Sequence, residues 1–196
     1  MNKTNFVMSI VCMLLLLVMV TGTVLAQDAT ETDEEKKERQ DTEVMNKRYI
    51  AVGAFLAMAI AGIVSAFALG HTGASAMGVI SEKEEHFGKA FILQVLPMTQ
   101  GLYGFVIAFL LILGMGNADL TDGAVGWIAI AAGLVIALTG ISAIPQGQIA
   151  SAGIQSIPRN PELSTGKKII LAAMPETMAV FGFLIAILLM QEAGIL

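Results

Sequence analysis

Glu176 is the residue on which chemistry could turn. It is the only ionisable side chain deep inside a long apolar run, eight residues beyond Lys168 and sixteen before Glu192. Along a helix those separations are about 12 Å and 24 Å. A carboxylate left in hydrocarbon costs about 2.5–3.5 kcal/mol on insertion scales, so a chain keeps one there mainly to use it. Neutral oxygens are available nearby. Thr99, Gln100 and Tyr103 share one face of another run at spacings i, i+1 and i+4, and Gln146 directly follows Pro145 in a third. A proline inside a helix removes one N–H and strands the carbonyl four residues earlier. Pro97, Pro145 and Pro175 should therefore loosen three helices at comparable depth and free backbone carbonyls. One carboxylate, two amide oxygens, a hydroxyl and a carbonyl form a singly negative, all-oxygen set. That set suits a small hard monovalent cation, whereas a transition metal would favour His or Cys. Taken singly, Thr99, Gln100 and Gln146 read as interhelical hydrogen bonds; together around one buried acid they read as a cation site.

The elements that must position these groups are membrane helices. The 196 residues are 56% hydrophobic and 14% charged, against about 45–50% and a quarter in soluble domains. Charge is also segregated: eight acids lie between Asp28 and Glu43 and five bases between Lys36 and Arg48, leaving eight acids and five bases for the 148 residues from 49 onward. Four apolar segments, at about 50–72, 89–115, 124–148 and 167–191, are each long enough to span a bilayer. The fold class read from this is an all-α membrane protein with four transmembrane helices. Lys83, Lys89, Arg159, Lys167 and Lys168 cluster in or beside connections 73–88 and 149–166, while the connection 116–123 has no Lys or Arg. The positive-inside rule makes the first and third connections cytoplasmic and puts the C-terminus outside, in the cell membrane. Lys47 and Arg48 oppose that orientation at the outer end of the first span, diluted by acidic neighbours.

Ahead of the spans, residues 1–26 carry Lys3, an apolar stretch through Ile10–Val20 and a small-residue exit at Thr23-Val24-Leu25-Ala26. This is the layout of a signal peptide cleaved after Ala26, or of an uncleaved anchor helix. Residues 27–49 read as a charged solvated tether or frayed helix without chemistry of its own.

Several classes are excluded. Cys12 alone supplies neither a disulfide nor a thiolate metal site. His71 and His86 fall at connections and read as surface residues, too few for a histidine metal cluster or a haem anchor. The net charge of −5 and the absence of a basic patch speak against nucleic acid. No GxxxxGK[ST] loop and no nucleophile–base pair is present, so the chain should carry no catalytic site.

The chain repeats itself. Leu96-Pro97-Met98-Thr99-Gln100-Gly101-Leu102-Tyr103-Gly104-Phe105-Val106-Ile107-Ala108 aligns with Met174-Pro175-Glu176-Thr177-Met178-Ala179-Val180-Phe181-Gly182-Phe183-Leu184-Ile185-Ala186 at an offset of 78, with Pro, Thr, Gly, Phe, Ile and Ala in register. Two helical hairpins in tandem, 50–115 and 124–192, follow. Because each unit holds two helices, both enter the membrane in the same direction, unlike the inverted repeats of many transporters. Small residues at four-residue spacing (Gly62, Ala66, Gly70; Ala129, Gly133, Ala137) let backbones approach closely. They fit either a plain four-helix bundle or the tightly curved inner wall of a ring.

The Leu96–Phe105 motif, Pro175-Glu176-Thr177 and the double hairpin together resemble the proteolipid subunit (K, or c) of V-type and A-type rotary ATPases, over about residues 50–192. The resemblance implies a rotor ring of identical subunits turning against a stator that bears an essential arginine, with a central stalk seated on the cytoplasmic loops. It further implies Na+ bound by Glu176, by the side chains of Thr99, Gln100 and Gln146, and by the carbonyl of Leu96. Tyr103 would lock the site by a hydrogen bond to the carboxylate. Since Glu176 aligns with Met98, one ion is expected per four helices. A ring carrying H+ on the same Glu176 is the alternative; a structural, quinone-binding or pore-forming four-helix protein is a more distant one.

Overall fold

The computed structural model describes residues 32–196; the signal-like run 1–26 lies outside them. Among the described residues every regular element is helical. Helix α1 (Asp33–Glu82) opens with a capping box. The Glu35 N–H donates to Thr32 Oγ1 (3.3 Å), while the N–H and hydroxyl of Thr32 donate to Glu35 Oε2 (2.7 and 3.0 Å). The charged segment is thus helical from Asp33 and runs without interruption into the first apolar span. After a short 3₁₀ turn at Glu84–His86 come α2 (Phe87–Gln94), a 3₁₀ turn at Leu96–Met98 and α3 (Thr99–Gly114). The second hairpin is α4 (Val125–Thr139), a 3₁₀ turn at Gly140–Ser142, α5 (Ala143–Arg159), α6 (Thr165–Ala173) and α7 (Glu176–Glu192).

Asp33–Glu82, Glu84–Gly114 and Val125–Arg159 are each long and apolar enough to cross a membrane. The pair α6 and α7, bent by 44° at Met174-Pro175, reaches that length only when taken as one broken span. The expected polar connections at 73–88 and 149–166 are mostly helix. α1 continues to Glu82 and α5 to Arg159, so His71 sits on a helix rather than in a connection. The physical reason lies in composition: Ala74, Ala76, Ala150 and Ala152 are strong helix formers, and no proline interrupts either stretch before Pro158. That proline stands in the last turn of α5, and the chain leaves the helix two residues later at Asn160.

Packing follows an 11-residue rhythm. In α1 the buried positions recur as Ile50–Ala61–Thr72, Ala54–Ser65–Ala76 and Ala57–Ala68–Val79. The α4–α5 span repeats it as Val125–Ile136–Gly147, Ala129–Gly140–Ser151 and Ala132–Ala143–Ile154. Eleven residues in three turns drift slowly in the right-handed sense, keeping a small-residue seam facing its partner. The approach needs glycine: a Cβ on Gly133 would run into the backbone of Gly53, and one on Gly53 into the carbonyl of Ala129. Of the two stripes noted in the sequence, Ala129, Gly133 and Ala137 are buried within the chain, whereas Ala66 and Gly70 are exposed.

Two apolar clusters result. One joins Ile50, Ile107, Leu111, Ile136 and Met190, and the other Val79, Leu93, Ile154 and Ile157. At the end of the bundle that carries the 116–124 connection, Asn46, 2% exposed, fastens that connection. Its Nδ2 donates to the carbonyls of Leu120 (2.8 Å) and Asp122 (2.7 Å), and its Oδ1 accepts from the Gly126 N–H (3.0 Å). Gly194, at φ +65°, turns the chain back so that the Ile195 N–H reaches the carbonyl of Met190 (2.9 Å). Ile195 is then buried against Gly114. The gap between the two clusters holds the polar side chains.

Candidate functional site

Each of the three prolines loosens its helix. Pro97 lies in the 3₁₀ turn Leu96–Met98, Pro145 follows the 3₁₀ turn Gly140–Ser142, and Pro175 stands at the break between α6 and α7. These disturbances fall at one level of the bundle. There α2–α3, α4–α5 and α6–α7 each contribute polar side chains that meet across the bundle.

Glu176 opens α7, half-buried, and receives two donors. The Tyr103 hydroxyl donates to its Oε1 (3.0 Å), and Gln146 Nε2 donates to its Oε2 (3.3 Å). Gln146 Oε1 in turn accepts from Gln100 Nε2 (2.6 Å). The single proton of Thr99 Oγ1 is shared between the carbonyl of Leu96 (3.1 Å) and Gln100 Oε1 (3.2 Å). Gln100 and Gln146 are both fully buried (0% exposed), the most enclosed amides in the span region. From Thr99 through Gln100 and Gln146 the donors lead toward the carboxylate, and Tyr103 donates to it directly.

All six residues singled out in the sequence, Leu96, Thr99, Gln100, Tyr103, Gln146 and Glu176, thus come together, from three spans. An amide or backbone carbonyl oxygen has two lone pairs and a carboxylate about four acceptor positions. After the bonds above, Gln100 Oε1, Gln146 Oε1, Thr99 Oγ1 and Glu176 each retain acceptor capacity, whereas the Leu96 carbonyl already accepts from both the N–H and the hydroxyl of Thr99 and would be freed for an ion only if the hydroxyl turned away. The donor chemistry fits a hard cation that takes oxygen ligands.

Other contacts were not legible in the sequence. Phe183 holds the Tyr103 ring, with centroids 5.3 Å apart and planes inclined by 37°. Gly182 lies so close to Thr139 that a Cβ would collide with its hydroxyl, which fixes α7 against α4. On the cytoplasmic side of the site by the expected orientation, Ser75 and Ser151 are hydrogen-bonded, and Gln155 Nε2 donates to Ser75 Oγ (3.2 Å). The recurrence of Ala74-Ser75-Ala76 as Ala150-Ser151-Ala152 is the only sequence sign of that pair. His71 lines an open hollow beside them with Glu82 and Arg159, away from the six.

Glu176 and Thr177, with Ala173, Val180 and Phe181, also line a shallow apolar recess on the outer face of α7. The acid is therefore reachable from the exposed face of α7 while its oxygens are held from within.

Comparison with known proteins agrees with the duplication. The ATP synthase C-subunit family matches twice, at residues 52–111 and 130–189, two stretches separated by the same 78 residues as the motif. The A-type ATP synthase subunit K of Methanocaldococcus jannaschii is 44% identical over 140 residues, 71% of this chain and 60% of its own length. The chain thus spans less than two thirds of that relative. The V-type sodium ATPase subunit K of Enterococcus hirae is 49% identical over 147 residues, 72% of this chain and 92% of its own length. With a doubled family match over most of the apolar region and two such relatives, this multi-pass membrane chain belongs to the C-subunit family of ATP synthases.

Proposed function

We propose that this chain is the ion-carrying subunit of a rotary ATPase ring and that it moves one Na+ per four-helix subunit on Glu176. The observation that carries the reading is the convergence of Tyr103 and Gln146 on a carboxylate at the start of an apolar helix, with Gln100, Thr99 and the Leu96 carbonyl behind them. In this reading Gln100, Gln146, Thr99, Leu96 and Glu176 hold the ion, and Tyr103 locks it. The name of the enterococcal relative, a sodium ATPase subunit, favours Na+ over H+.

Charge accounting gives the mechanism. A loaded site pairs the ion with the Glu176 carboxylate, so its outer surface can pass through lipid. An emptied site leaves a bare carboxylate whose exposure to hydrocarbon is expensive. Such a site is stable only beside a cation, an arginine on the stator, and a water-filled access channel. Rotation is then open to loaded sites alone, and ion flow is coupled to turning. The open small-residue face of α1 at Ala66 and Gly70 supports a ring, since it leaves room for a helix of a second copy.

In the membrane, α6 and α7 together make the fourth span. The cytoplasmic side carries the turns around 83–86 and 160–164, where a central stalk would sit, and the C-terminus faces outside. Residues 1–26 act as signal peptide or anchor, and 27–49 as a charged lead-in.

Labelling with a hydrophobic carbodiimide, which attacks protonated carboxyls, tests the assignment. Glu176 should be modified, and added Na+ should suppress the modification, more readily as pH rises and protons compete less. Labelling indifferent to Na+ at every pH would make the cargo H+. Absence of labelling at Glu176 would remove the rotor reading.

A further inference from the structure

The hollow beside Ser75 and Ser151 is lined by opposite charges that do not meet. Glu82, the last residue of α1, and Arg159, the last of α5, border it together with His71, Ser75 and Gln155. Among the described residues neither the Glu82 carboxylate nor the Arg159 guanidinium is in an ion pair or a hydrogen bond. Glu82 also borders a second hollow with Lys83 and Lys89, yet pairs with neither. The C-terminal end of a helix is a negative pole, and the last turn of α1 adds an acid to it and no base. A cation is therefore favoured at Glu82. An anion is favoured at Arg159, whose planar guanidinium suits a phosphate. At about 640 Å³ the hollow has the size of a small-molecule site. Gly78 leaves its wall open, since a Cβ there would meet nothing.

What continues from the hollow specifies the rest of the ligand. Ile60, Val64, Phe67, His71, Ser75 and Glu82 lie three, four or seven residues apart and so form one stripe along α1. The first three are apolar and open to the surface, Phe67 by 67%; the last three are polar and line the hollow. A small soluble zwitterion would gain nothing from the apolar half of the stripe, and a simple anionic amphiphile nothing from Glu82. We propose that the hollow binds the head group of a zwitterionic phospholipid with a primary ammonium group. Arg159 takes the phosphate, Glu82 takes the ammonium, and the acyl chains lie along Phe67, Val64 and Ile60. Gln148, exposed on α5 and seven residues before Gln155 on the same stripe, faces the glycerol region beside His71. The inference stands apart from the Na+ assignment.

The test titrates the intact detergent-solubilised complex with phosphatidylethanolamine, phosphatidylcholine and phosphatidylglycerol of equal chain length, counting bound lipid by native mass spectrometry. Phosphatidylethanolamine should bind most tightly, since phosphatidylcholine has no N–H to donate and phosphatidylglycerol no cation. Glu82→Gln should weaken phosphatidylethanolamine about fivefold and leave phosphatidylglycerol no weaker. Arg159→Gln should weaken both about fivefold, because both carry the phosphate. The two side chains are exposed, so neither change threatens assembly. Equal phosphatidylethanolamine affinity in wild type and Glu82→Gln overturns the proposal, as does equal binding of the three lipids. Displacement by free phosphoethanolamine at matching concentration would also overturn it, by showing that the acyl chains contribute nothing. Absence of all three lipids from the complex would do the same, leaving the hollow to a protein segment.

Discussion

The two copies of the motif meet the same backbone problem and diverge in what they build on it. In the first, Thr99 donates its hydroxyl to the carbonyl of Leu96, the residue before Pro97 (3.1 Å). In the second, Thr177 donates to the carbonyl of Met174, the residue before Pro175 (2.9 Å). The proline break and its hydroxyl patch are thus common to both hairpins and belong to the fold. Beyond them the copies part. Gln100, fully buried, stands where the second copy has Met178, 55% exposed, and half-buried Tyr103 where it has Phe181, 60% exposed. In reverse, the acid Glu176 stands where the first copy has Met98. The first copy of the motif keeps an amide and the phenol, the second keeps the charge with the other amide, Gln146, on the preceding helix of its hairpin, and neither hairpin holds a complete constellation.

The division teaches that a carboxylate alone does not make a site; it needs the neutral oxygens of the other copy at hydrogen-bonding distance. The largest expected effect follows directly. Glu176→Gln should reduce Na+ uptake by reconstituted complex to background while leaving the assembly intact by size. Moving the acid to the first copy, in Met98→Glu combined with Glu176→Gln, should not restore it, because the second copy offers only Met178 and Phe181 as partners. Restored uptake in the double variant would show the copies to be interchangeable and break the comparison.

Next in size come the amides. Gln100→Leu and Gln146→Leu each remove a buried polar group whose bonds lead to a charge, a loss of about 1.5–3 kcal/mol. That corresponds to about a ten- to 150-fold weaker Na+ affinity, readable as the concentration needed to protect Glu176 from carbodiimide. Met178→Leu, at the position equivalent to Gln100, should leave that concentration unchanged. A comparable shift there would mean that the exposed face of the second copy contributes after all.

Much of this is legible without any coordinates. Buried acids in apolar runs and repeats in register are strong signals, because hydrocarbon penalises the first and chance seldom produces the second. The prolines mark the level at which the helices break, and Thr99, Gln100, Tyr103, Gln146 and Glu176 stand out by type alone. Helix ends are less visible: apolarity marks where the membrane stops, not where the helix stops, so α1 and α5 outrun the apolar segments that announce them. The sequence also draws the eye to the wrong small residues. A four-residue stripe at Gly62, Ala66 and Gly70 is conspicuous, yet the chain buries the 11-residue seam through Ala54, Ala57, Ala61 and Ser65, whose period no short window reveals. Asn46 gives no sign of its role because it lies in a charged stretch and acts on carbonyls more than 70 positions away.

A smaller effect is expected at the phenol. Tyr103→Phe removes one hydrogen bond to Glu176 but keeps the ring packed on Phe183. A loss of about 1 kcal/mol, or about fivefold in Na+ affinity, should appear mainly as faster ion release in stopped-flow exchange. Phe181→Tyr should gain nothing. If Tyr103→Phe left release unchanged, the phenol would be a packing residue like its counterpart, and the two copies would be more alike than the hydrogen bond suggests.

The smallest effect contrasts the starts of the two hairpins' first helices. α1 is capped locally, by Thr32 and Glu35, whereas the Gly126 N–H in the first turn of α4 is held by Asn46, a residue of the other hairpin. The backbone N–H of Thr32, followed by its hydroxyl, holds the Glu35 carboxyl below its ordinary value of 4.5. A depressed acid contributes stability that is fully present above its unfolded value and lost as pH falls through the folded one. Acidification below 4.5 should therefore speed amide hydrogen exchange in the first turn of α1 once the intrinsic pH dependence of exchange is removed. Glu35→Gln should already show that faster exchange at neutral pH and respond less to acid. Gly126 should not follow, since its acceptor is a neutral amide without a proton to gain. Parallel loss of protection at Gly126 would mean that acid loosens the bundle as a whole, and the distinction between a self-capped and a cross-capped hairpin would fail.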